Sequence, residues 1–145
     1  MSTTPGWLKD KLRKSMERER FLDKPMEKFS RVVWPFSEGK LVLLVSIMPA
    51  LDLASTFAAL ELSGKNIQEV GLIGRWSLAT IGFAGLFGIE MACVGFLILL
   101  AIGAKTMYTR LGFNGFGRAA WVFILAPTFV AILVAVLNNV ILTLM

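Results

Sequence analysis

Residues 41–62 read LVLLVSIMPALDLASTFAALEL, an apolar run with a single carboxylate, Asp52, near its midpoint. About 20 apolar residues, each rising about 1.5 Å, cross a hydrocarbon core of about 30 Å. The stretch therefore predicts a transmembrane helix. Two more such runs follow, at 77–104 and 119–144, and the first of these also holds a mid-span acid, Glu90. Together they predict an all-α integral membrane protein with three transmembrane helices in residues 41–145, preceded by a basic amphipathic arm over residues 1–40.

The composition agrees. The chain has 145 residues, 56% of them apolar, and a mean hydropathy of +0.70, far from a soluble domain of ordinary make-up. Three spans leave no room for a separate catalytic domain. Histidine is absent, which removes the usual haem ligand and the commonest metal ligand and general base. The one cysteine, Cys93, lies inside a span, so no intrachain disulfide, iron–sulfur cluster or thiolate zinc site is expected. Phosphate-binding glycine loops, nucleophile elbows and HExxH motifs are missing too. The expectation is a protein that is not an enzyme, with no cofactor and no metal.

Charge predicts the orientation. Ten Lys/Arg precede the first span, Lys65 and Arg75 lie in the first loop, and Lys105, Arg110 and Arg118 lie in the second. An inside N-terminus puts thirteen of these fifteen on the inner side, as the positive-inside rule requires. Trp34, Tyr108 and Trp121 would anchor the inner interface and Trp76 the outer one. No apolar segment in the first thirty residues suggests a cleavable signal. The expected location is the cytoplasmic (inner) membrane, N-terminus inside and C-terminus outside.

In the arm, Leu8, Leu12, Leu22, Met26, Phe29 and Val33 recur at helical spacing. Asp23, Pro25 and Glu27 resemble a helix start, which predicts two short helices broken near Lys24. The polar side carries Lys9, Lys11, Arg13, Lys14, Arg18 and Arg20. Such a face suits anionic lipid headgroups at about 1 kcal/mol per basic residue. A partner-docking arm is the alternative. The mixture of acids with bases, tethered to a membrane, argues against nucleic acid.

The intramembrane polar residues are the candidate site. Midplane carboxylates cost about 2.5–3.5 kcal/mol on insertion scales, and no basic residue lies within the spans to pair with them. At about 100° per residue, Ser55, Thr56 and Ala59 fall within roughly 60° of Asp52. Met48 shares that face, and Pro49 frees a carbonyl one turn earlier. Glu61, further out, should reach water. In the second span Ala84, Gly85, Gly88, Ala92 and Gly95 form a small-residue face fit for close helix approach. Glu90 points about 160° away from Gly88. That helix thus has two faces that avoid lipid, and the favoured reading gives one of them to another subunit. The third span gathers Thr128, Ala131, Ala135, Asn138 and Asn139 above Pro127, predicting interhelical hydrogen bonds by the asparagines.

These residues resemble a family of small uncharacterised prokaryotic membrane proteins, a domain of unknown function. That family has Asp-x-x-x-Thr in its first helix, then a glycine and an acidic residue, and an asparagine in its last helix. The matching positions are Asp52–Thr56, Gly64, Glu69 and the stretch Ala135-Val-Leu-Asn138. The chain departs at Val70-Gly71, where the family has Asn-Pro, and at Glu90, where a basic residue is more usual. The resemblance implies membership of a membrane family and no activity.

Two functions fit. One is a small non-catalytic membrane subunit that packs into a larger complex or homo-oligomer. The alternative is a proton- or cation-handling oligomer, a transporter or channel using Asp52 and Glu90 at the midplane.

Overall fold

A computed structural model describes residues 5–62 and 72–144. It is all-α, with α1 at Gly6–Val33, α2 at Glu38–Leu62, α3 at Leu72–Arg110 and α4 at Asn114–Leu144. Three helices are long and apolar enough to cross a membrane, over Glu38–Ala59, Thr80–Arg110 and Asn114–Leu144.

α4 is the hub: α1, α2 and α3 all pack on it, and α2 and α3 also pack on each other. Leu41 and Val45 of α2, Val94 and Ala101 of α3, and Trp121 and Leu125 of α4 form the buried core. Phe57 and Phe83 add an edge-to-face contact across α2 and α3, centroids 5.6 Å apart. Phe96, Leu99 and Val134 stay exposed, as a helix that turns most of its surface to acyl chains requires.

The arm differs from expectation. α1 is one continuous helix with Pro25 inside it, not two helices broken near Lys24. Pro25 removes the hydrogen bond to the Phe21 carbonyl, but Phe21, Lys24 and Pro25 all lie on the exposed side, so the loss falls away from the packed face. Asp23, expected to open a helix of the arm, serves another one. Its Oδ1 accepts the Phe116 N–H at 2.9 Å, satisfying an amide in the first turn of α4. A Cβ on Gly115 would collide with the Asp23 carbonyl, so glycine is what lets the two backbones meet. Phe29 stacks on Phe123 at 5.8 Å and Ser30 is fully buried. The second half of the arm is docked on the bundle. The first half carries Lys9, Lys11, Arg13, Lys14, Arg18 and Arg20 exposed, with Arg13 3.4 Å from Asp10.

The second loop is also shorter than expected. α3 runs on through Lys105 and Arg110, and α4 already includes Arg118, so the connection is Leu111-Gly112-Phe113 alone. The Phe113 N–H reaches the Tyr108 carbonyl at 2.9 Å and Gly112 N–H reaches Thr109 at 3.0 Å. With Gly112 at φ +84°, this is a Schellman stop. Glycine takes the left-handed turn that other residues resist. Near the other end of the span, Gly82 (φ 67°, ψ −168°) interrupts α3.

Candidate functional site

The Glu38–Lys105 ion pair sets the height at which α2 and α3 meet. From it, Asp52 is fourteen residues along α2 and Glu90 fifteen back along α3, about 21 and 22 Å at helical rise. The antiparallel helices thus bring the two acids level, with the Glu90 side chain facing that of Asp52. A carboxylate only accepts, so two carboxyls facing each other can hydrogen-bond only with a proton between them. Glu90 is half-buried and its Oε2 is shut off from solvent.

α4 closes the cluster with Asn139. Its Nδ2 donates toward Thr56 Oγ1 at 2.9 Å, Ser55 Oγ at 3.2 Å and Asp52 Oδ1 at 3.3 Å. An amide nitrogen carries two hydrogens, so Thr56 holds the shortest bond and the other two acceptors share. Ser55 in turn donates to the Asp52 backbone carbonyl at 2.9 Å. Asp52, Ser55, Thr56 and Asn139 therefore form one hydrogen-bonded group spanning α2 and α4, with Glu90 of α3 facing it.

Asn138 is not part of it. It is exposed, because neighbours on a helix point about 100° apart and one asparagine alone can face α2. Thr128 and Thr143 bond back to their own helix, to Ile124 O at 3.1 Å and Asn139 O at 2.8 Å. Glu61 is exposed. Of the residues carrying the family resemblance, Asp52 and Thr56 lie in the cluster, Asn138 lies outside it, and Gly64 and Glu69 lie outside the described residues.

The small-residue face of α3 turns away from the cluster. Ala84, Gly88 and Ala92 are exposed and Gly85 and Gly95 half-buried. At Gly88 and Gly95 an added Cβ would meet open space. Gly85 is different: the Ile81 side chain of its own helix covers it, so it accommodates the break at Gly82 rather than a neighbouring helix.

A second polar group, at the arm end of the bundle, has no signal in the sequence. Glu38 pairs with Lys105 and stands 3.8 Å from Arg118. Arg118 also donates to the Trp34 and Phe36 carbonyls at 2.9 and 3.2 Å. Residues expected as loop charges thus tie α2, α3, α4 and the arm linker together. Among the described residues no group of three or more Asp, Glu, Cys or His is placed to hold a metal ion. Comparisons with protein-family models, curated proteins and solved structures return no match.

Proposed function

We propose that the protein is a small non-catalytic subunit of the cytoplasmic (inner) membrane that packs against other membrane helices through α3. The observation that carries this is the uncovered face of Ala84, Gly88 and Ala92, where small side chains let a second backbone approach closely. Glu90 faces Asp52 of its own chain, so the small-residue face, and not the acid, is the surface offered to a partner. The N-terminus is inside, on the strength of the basic arm and the three basic residues at the α3–α4 end. The partners are anionic lipid, other membrane subunits or a second copy of the chain. Asp52 and Thr56 support a likeness to the small prokaryotic membrane-protein family.

Gentle solubilisation followed by mass measurement tests the reading. Particles heavier than one 16.0 kDa chain are expected, and Gly88→Leu with Ala92→Leu should reduce them to monomers of unchanged helicity. A wild-type monomer with no partner overturns it.

The placing of Asp52 against Glu90 favours a second reading, a proton-handling oligomer, because a carboxyl pair that shares a proton titrates as a unit. On that reading Asp52→Asn or Glu90→Gln abolishes proton flux in proteoliposomes while assembly survives. Loss of assembly instead makes the pair structural.

A further inference from the structure

We propose that the arm end of α3, with Trp121 of α4, forms a binding groove for one anionic phospholipid, separate from the lysines of the arm. The groove holds about 610 Å³ and is lined by Ile102, Lys105, Thr106, Thr109, Arg110 and Trp121. These α3 positions fall at three- and four-residue intervals, so one helix stripe presents them together. The stripe changes character along its length. Lys105, Thr106, Thr109 and Arg110 supply two cations and two hydroxyl donors. One turn deeper, Ile102 is apolar and exposed, and Gly103, which lines the adjoining groove that shares Thr106 and Arg110, is exposed with open space where a side chain would stand. A charged head above a smooth apolar track matches a phospholipid, whose phosphate would meet the cations while an acyl chain lies over Gly103.

Charge selects the anion. Arg110 is exposed and, among the described residues, makes no ion pair. Lys105 and Arg118 share the one acid, Glu38, so the region keeps an excess of positive charge. Lys105 Nζ also sits 5.6 Å from the Trp121 ring centroid, holding the cation at the groove wall. The position at the end of an apolar span of thirty-one residues is where headgroups reside, and basic pockets between transmembrane helices bind anionic headgroups by the same physics. An inorganic phosphate would use the cations and leave the apolar track idle.

Native mass spectrometry of the full chain, released from phosphatidylcholine nanodiscs containing added phosphatidylglycerol, reads retained lipid directly. The wild type should retain phosphatidylglycerol in preference to phosphatidylcholine. Arg110→Ala should weaken that retention about fivefold, the value of one basic residue at the surface. Gly103→Leu, which fills the track and leaves every charge intact, should weaken it at least as much. Lys9→Ala with Lys11→Ala should leave it unchanged. Helicity measured by circular dichroism confirms that each variant is folded. Equal retention of the two lipids by the wild type overturns the proposal. So does unaltered retention in Gly103→Leu, which would mean surface charge alone.

Discussion

Asn139 is the side chain by which α4 engages the polar stripe of α2. Replacing it with leucine removes its bonds to Thr56, Ser55 and Asp52. The expected cost is about 1–2 kcal/mol, given roughly 0.6–1.7 kcal/mol for interhelical bonds in membranes. Asn138→Leu should be neutral, and reversible unfolding in mixed micelles separates the two. The stripe itself was readable, since Asp52, Ser55 and Thr56 share one helix and projection at 3.6 residues per turn places them. Which of two adjacent asparagines meets it was not. That depends on the rotation of α4, set by Trp121 and Leu125 in the core. Gly82 was equally silent: nothing local distinguishes it from the other glycines of α3. At φ 67°, ψ −168° it occupies a region open almost only to glycine, so Gly82→Ala should cost about 1–3 kcal/mol, read in the same unfolding experiment.

Among the elements, the arm shows where local reading ends. Its helical periodicity was evident, but Asp23 and Pro25 looked like a boundary because those residue types open helices. The partner of Asp23 lies 93 positions away, at Phe116, beyond the reach of any local pattern. Asp23→Ala should cost about 1 kcal/mol, as for other lost caps. Hydrogen exchange should then rise over 23–33 and at the start of α4 while α2 stays protected. Unchanged exchange would show that the Phe29–Phe123 stack and buried Ser30 hold the arm unaided. The end of α3 carries the same lesson. Hydropathy marks only the apolar part of a span, yet the helix runs past it until Gly112 turns it.

Across the whole molecule, three spans and a basic arm follow from hydropathy and charge, whereas the packing order does not. Glu38→Ala would leave Lys105 and Arg118 without their shared acid. Because Lys105 is partly exposed, the penalty should stay near 1 kcal/mol, seen as a lower midpoint of thermal unfolding with helix content intact. The placing of α4 at the centre has a temporal side. The arm, α2 and α3 are all translated before the helix on which they converge, so each must wait in the bilayer or at its surface unsupported. During that interval Asp52 lacks the amide of Asn139, and only α2 and α3 can shelter the two acids. Stopping synthesis at residue 113 should therefore leave a hairpin that inserts, beside an arm that proteases cut freely.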